Sequence, residues 1–191
     1  MKCIKIILFW ILVLCNTTLV FAQAISVDDS KNATDLTQIL TNNSSCISIS
    51  GESVKGDTFT PGQNSYGYFN NQGGSFPFTE GIVLSTWSSI YSPGPFVREP
   101  TSGPKSGSSS WLGDPDLEQA LGTTNTSNAT VLEFDFTAIT NVISFNYLFA
   151  SNEYQDNFPC NYSDGFAFLI KEIGTATYKN LAVIPGTIIT V

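Results

Sequence analysis

The segment from Ser151 to Asp164 carries the densest set of side chains suited to binding chemistry in this sequence. Its carboxylates and amides have no lysine or arginine among them: Glu153, Asp156, Asn157, Asn161 and Asp164. Side-chain oxygens without basic partners suit a hard cation such as Ca²⁺, which takes about six to eight oxygen ligands. We therefore expect a calcium site built from Glu153, Asp156, Asn157 and Asp164. The alternative is a solvated polar loop in which these side chains form turns.

Aromatic side chains in or beside expected loops provide a second kind of binding chemistry. Trp87, Trp111 and Tyr154 are the main candidates. Exposed aromatic rings stack on sugar faces and anchor protein interfaces, so these three residues are candidate ligand contacts. The alternative is that the rings pack over the ends of a β-sandwich.

The absence of histidine from all 191 residues restricts the catalytic possibilities. It excludes a Ser-His-Asp triad and a histidine-ligated zinc site within this chain. Carboxylate pairs remain, with Glu133 and Asp135 on one strand face as one pair and Glu153 with Asp164 as another. Such pairs would serve a polysaccharide hydrolase, which needs two carboxyl groups about 5–10 Å apart. The alternative for Glu133 and Asp135 is a stripe of carboxylates that faces solvent. A formal charge of −8 excludes the basic footprint of a nucleic-acid binder.

Residues 1–22 have the organisation of a secretory signal peptide. Lys2 and Lys5 form a positive start, Ile6 to Leu14 form an apolar run, and cleavage is expected after Ala22. The apolar run is shorter than the roughly 20 residues that a membrane-spanning helix needs. We therefore expect an exported protein, located outside the cell or at the cell surface.

The mature chain would comprise residues 23–191 and form one domain. Loss of the two signal lysines leaves 6 basic residues against 16 acidic ones, a formal charge of −10. Cys46 and Cys160 would remain, and the oxidising environment outside the cell favours a disulfide between them. The alternative is two buried free thiols. The apolar residues 188–191 would leave an unpaired strand, so we expect the domain to be truncated at its C-terminus.

Hydrophobic periodicity predicts an all-β domain with two short helices. Asp35 and Gln38, spaced as a capping box, indicate a helix over residues 34–41. Asp114 as N-cap, Pro115 at the first helical position and Gly122 at the end indicate another over residues 115–121. Leu132, Phe134 and Phe136 alternate with polar residues, as expected for a half-buried strand. The strands are predicted at residues 46–50, 81–86, 131–137, 142–150, 165–170, 181–184 and 188–191. Four residues between the strands at 131–137 and 142–150 fit a hairpin loop. Many short strands with little helix indicate a jelly-roll-like β-sandwich.

Five sequence blocks resemble the choice-of-anchor L domain, a module of secreted bacterial surface proteins whose members carry different C-terminal anchors. The blocks are Gly81-Ile82-Val83-Leu84-Ser85-Thr86, Gly113-Asp114-Pro115-Asp116-Leu117, Val131-Leu132-Glu133-Phe134-Asp135-Phe136, Phe149-Ala150-Ser151-Asn152-Glu153-Tyr154 and Ile184-Pro185-Gly186-Thr187. They occur in order over roughly residues 34–191. The resemblance implies an extracellular or cell-surface β-domain and supplies no reaction.

These observations together predict a non-catalytic module for adhesion, or for binding a glycan or a surface protein, with calcium as a structural ion. We expect no nucleic-acid partner. Contact with a membrane would occur only through an anchor that this chain lacks. A carboxylate-dependent polysaccharide hydrolase and a purely structural spacer are the alternatives.

Overall fold

The structure is a computed structural model that describes residues 25–57, 63–94, 111–151, 154 and 163–183. Within these ranges the chain forms seven strands, two α-helices and one short 3-10 helix. In chain order they are β1 (Ser26–Asp28), α1 (Ala33–Leu40), β2 (Ile47–Lys55), β3 (Tyr66–Asn70), β4 (Glu80–Leu84), the 3-10 helix (Ser89–Tyr91), α2 (Pro115–Leu121), β5 (Val131–Ala138), β6 (Leu169–Ile170) and β7 (Lys179–Asn180).

The strands form antiparallel sheets in a sandwich-like arrangement, so the expected all-β class with two short helices is confirmed. One sheet has the order β1-β3-β4, a second pairs β2 with β5, and a third pairs β6 with β7. Leu36, Trp111 and Ala182 are the buried hydrophobic residues among those that the structure describes. A close backbone approach organises the first sheet, because a Cβ atom on Gly67 would lie 2.8 Å from the carbonyl oxygen of Asp28.

Strand β5 has the predicted alternation, but its partner differs from the predicted one. Leu132, Phe134 and Phe136 are partly buried while Glu133 and Asp135 are exposed. The expected hairpin with residues 142–150 was wrong, because those residues form no regular strand and β5 pairs with β2 in a two-stranded sheet. Strand β2 was predicted only as far as residue 50. It continues to residue 55 because a bulge between Ser50 and Ser53 lets the pairing resume, with Gly51 in the left-handed region at φ 67°.

Helix α1 lies one residue from its predicted position and begins at a different cap. The expected capping pair was Asp35 with Gln38, but Asn32 is the N-cap. The Asn32 side chain accepts a hydrogen bond from the Asp35 backbone N–H at 2.9 Å, and Asp35 accepts from the Asn32 backbone N–H at 3.3 Å. These two bonds make a capping box. The helix buries Leu36 completely and contacts β2, β3 and β4.

Helix α2 has the predicted boundaries because its sequence contains a complete set of end signals. Asp114 is the N-cap, and its Oδ1 accepts hydrogen bonds from the N–H groups of Asp116 and Leu117 at 3.0 Å each. Pro115 follows at the first helical position, where its missing N–H is not needed. Gly122 ends the helix at φ 66°, a conformation that favours glycine.

Residues 142–151 and 163–170 keep only part of the predicted alternation and form less regular strand than expected. Phe145 and Phe149 are half-buried as predicted, whereas Ile143 and Tyr147 are exposed. Only β6 is regular in these two segments. Strand β7 begins two residues before the strand predicted at residues 181–184. The segments meet through their rings instead. Phe145 lies 3.8 Å from Phe168 between ring centroids, and Tyr147 lies 5.3 Å from Phe166. The period-two pattern therefore predicted which aromatic side chains of the two segments contact each other. The hydrogen-bonded strand, β6, covers only the end of the second segment.

Candidate functional site

A cleft of about 300 Å³ lies where β2 ends and β5 begins. Its lining consists of residues 55–57 and 111–114 together with Ala129 and Val131. Lys55 is the last residue of β2 and lies opposite Val131, the first residue of β5. The second sheet therefore brings residues that are distant in sequence to one place.

The Trp111 side chain forms an apolar wall of this cleft. Its indole is 7% exposed, and Nε1–H donates a hydrogen bond to the Ala129 carbonyl oxygen at 2.7 Å. The backbone is held in the same way, because Ala129 N–H donates to the Leu112 carbonyl oxygen at 3.1 Å. Leu112 itself is 74% exposed at the rim. Trp111 is thus a fixed wall whose polar atom is already occupied.

Gly113 and Asp114 bring the start of α2 to the cleft. A Cβ atom on Gly113 would overlap Thr126 and lie 2.6 Å from its carbonyl carbon, so a side chain at this position would force the two segments apart. Glu118 joins the same segments from the helix, since its Oε1 accepts from the Thr126 N–H at 2.7 Å and from the Thr126 hydroxyl at 2.9 Å. These contacts hold Asp114 in the lining of the cleft, where its Oδ1 caps α2.

A buried set of hydroxyl groups supports the cleft from behind. Thr130 Oγ1 lies 2.7 Å from Ser65 Oγ and 2.7 Å from the Ser85 carbonyl oxygen. Ser65 is completely buried, and its Oγ accepts from the Asp57 N–H at 3.1 Å. Because β2, β3, β4 and β5 each end or begin beside one of these residues, the bonds connect both larger sheets. Buried polar groups that are paired in this way make the region rigid.

The cleft contains groups of both charge signs. The lining includes one lysine and two aspartates, Lys55, Asp57 and Asp114, so its formal charge is −1. Asp114 Oδ1 already accepts two hydrogen bonds from α2, at 3.0 Å each.

Groups with a shifted pKa lie outside the cleft lining in the described part of the chain. A hydrogen bond to Glu80 at 2.6 Å raises the pKa of the Tyr68 hydroxyl. A hydrogen bond with Tyr178 raises the pKa of Lys171, whose Nζ lies 4.2 Å from the Tyr178 ring centroid. Both pairs lie at the surface, and each hydrogen bond joins only the two residues of its own pair.

The structure places the predicted aromatic contacts apart from one another. Trp111 lines the cleft, whereas Trp87 lies half-buried after β4, with its backbone N–H donating to Ser85 Oγ at 3.0 Å. Tyr154 is 74% exposed. Of the three candidates, Trp111 is the one beside charged groups in a described cavity.

The predicted calcium ligands and disulfide lie largely outside the described residues. Glu153, Asp156, Asn157 and Cys160 are outside them. Asp164 is described, and the Ser151 hydroxyl donates to its Oδ2 at 3.2 Å, which joins the two ends of the acidic segment. Cys46 is exposed and is not bonded to another residue that the structure describes. The calcium site and the disulfide both stay predictions.

Three charged residues of the cleft were missed or read differently in the sequence. Lys55 and Asp57 flank Gly56 and match no recognisable motif, so only the β2–β5 register brings them to the site. Asp114 was correctly predicted as a helix cap. It also lines the cleft together with Trp111, because Gly113 lies close to Thr126. Glu133 and Asp135, the alternative catalytic pair, are exposed on β5 outside the cleft lining.

Comparison with protein families identifies the family to which the domain belongs. The family model of the choice-of-anchor L domain matches residues 25–191. The chain belongs to the choice-of-anchor L domain family. No curated protein and no solved structure matches it.

Choice-of-anchor L membership indicates a surface-associated module, located at the cell surface or secreted, of a non-enzymatic type. None of the helices in the described ranges is long and apolar enough to cross a membrane. Two of the blocks that carry the resemblance meet at the cleft, since Gly113 and Asp114 line it and Val131 begins β5. The family pattern therefore coincides here with the residues that build the cleft.

Proposed function

We propose that this chain is a non-catalytic adhesion module that binds a glycan or a surface protein through the cleft beside Trp111. The observation that carries the proposal is a cleft whose lining combines apolar residues, Trp111, Ala129 and Val131, with the charged residues Lys55, Asp57 and Asp114. Binding sites for small ligands are commonly concave, with apolar walls and a few placed polar groups. A surface location gives such a cleft access to extracellular ligands.

The experiment uses an array of glycans and immobilised surface proteins, with the full chain as the probe. Leu112→Glu changes the rim of the cleft, and Ile173→Glu is its matched control because the two side chains are 74% and 77% exposed. We expect the unchanged chain and the Ile173 variant to bind the same ligand and the Leu112 variant to lose it. A folded chain that binds nothing on the array, or equal binding by both variants, would contradict the proposal.

Calcium is the proposed structural ion, bound by Glu153, Asp156, Asn157 and Asp164. The acidic composition of residues 151–164 supports this proposal, as does the position of Asp164 beside Ser151 at the base of the segment. Titration calorimetry with CaCl₂ is expected to give binding that Asp164→Asn weakens. Asp116→Asn, which removes an exposed carboxylate from α2, is the control. Absence of heat above the dilution background would remove calcium from the proposal.

A further inference from the structure

We draw no further inference here: the strongest candidate, the surface patch of exposed apolar side chains that follows β5 (Ile139, Val142, Ile143, Tyr147 and Leu148), carries nothing, because nothing in the described part of the chain shows what covers it.

Discussion

At the residue scale, the approach of segments around the cleft depends on positions where a side chain does not fit. Gly113 lies against Thr126, and Gly56 lies so close to Ser65 that a Cβ atom would overlap its hydroxyl. Ser65 and Thr130 then hold the ends of the strands together by hydrogen bonds. Small changes at these positions should therefore have large effects on stability.

Gly113→Ala is expected to lower the free energy of unfolding by about 2–3 kcal/mol, because the added methyl group overpacks against backbone atoms of Thr126. Gly73→Ala is the control. Its φ of 78° is strained for alanine, but no atom lies within 4 Å of the added Cβ, so the loss should be about 1 kcal/mol. Urea unfolding measures both values. Equal losses would show that overlap with Thr126 does not limit this position.

Asp28 should make stability depend on pH. Hydrogen bonds from the Ser30 hydroxyl at 2.6 Å and the Ser30 N–H at 3.0 Å, together with Lys31, lower the pKa of Asp28 in the folded state. A lowered folded pKa contributes stability that is complete above the ordinary aspartate pKa of about 3.9 and is lost as pH falls through the folded pKa.

The contribution of Asp28 should be small because its side chain is 45% exposed and solvent screens its interactions. We expect Asp28→Asn and Ser30→Ala each to reduce the fall in unfolding free energy between about pH 6 and about pH 2. Urea unfolding at the two pH values measures this change. An acid-induced fall as steep as that of the unchanged chain in both variants would refute this role of Asp28.

At the element scale, α2 links the cleft to the last third of the chain. Its N-cap Asp114 lines the cleft, and Leu121 at its other end lies against Gly165, where an added Cβ would be 2.6 Å from Leu121 Cδ1. Gly165 follows Asp164, the described member of the predicted calcium site. A helix of seven residues thus connects the two regions that are proposed to bind ligands.

Asp114→Ala should lower the free energy of unfolding by about 1 kcal/mol, because two N–H groups of α2 lose their acceptor. Asp114→Asn should be nearly neutral, since asparagine is an equally good N-cap. Thermal unfolding followed by circular dichroism measures both. A similar loss in the two variants would mean that the carboxylate charge, and not the cap, stabilises the helix.

At the scale of the whole molecule, the predicted export of the protein would remove residues 1–22 and leave residues 23–191 as the folded chain. If residues 1–22 are a signal peptide, N-terminal sequencing of the exported protein should begin at Gln23. A chain that retains Met1 after export, or a different first residue, would contradict the predicted cleavage site. The mature protein would carry a formal charge of −10, which increases repulsion between copies.

The predicted Cys46–Cys160 disulfide is a second whole-molecule test. It would close a loop of about 115 residues and contribute about 5 kcal/mol to stability in the chain-entropy description. Alkylation of the unfolded, unreduced mature chain should then leave its mass unchanged, and reduction should lower its Tm. Two alkyl groups added without prior reduction would show free thiols.

The sequence by itself determined the features that depend on neighbouring residues. The end signals Asp114, Pro115 and Gly122 predicted α2 to the residue, and the alternation of Leu132, Phe134 and Phe136 predicted β5 and its buried face. Local hydrogen bonds and side-chain periodicity act over a few residues, so the order of amino acids records them directly. The same local order carries the family blocks.

Only the tertiary structure decided which distant segments meet. The pairing of β5 with β2, in place of the expected hairpin, brought Lys55 opposite Val131. The close contact of Gly113 with Thr126 then placed Asp114 and Trp111 beside them. Neither event leaves a local signal, because strand partners are selected by packing over the whole chain and the side-chain period of two fits many registers. The charged cleft is therefore a product of the fold, although each of its residues was visible in the sequence.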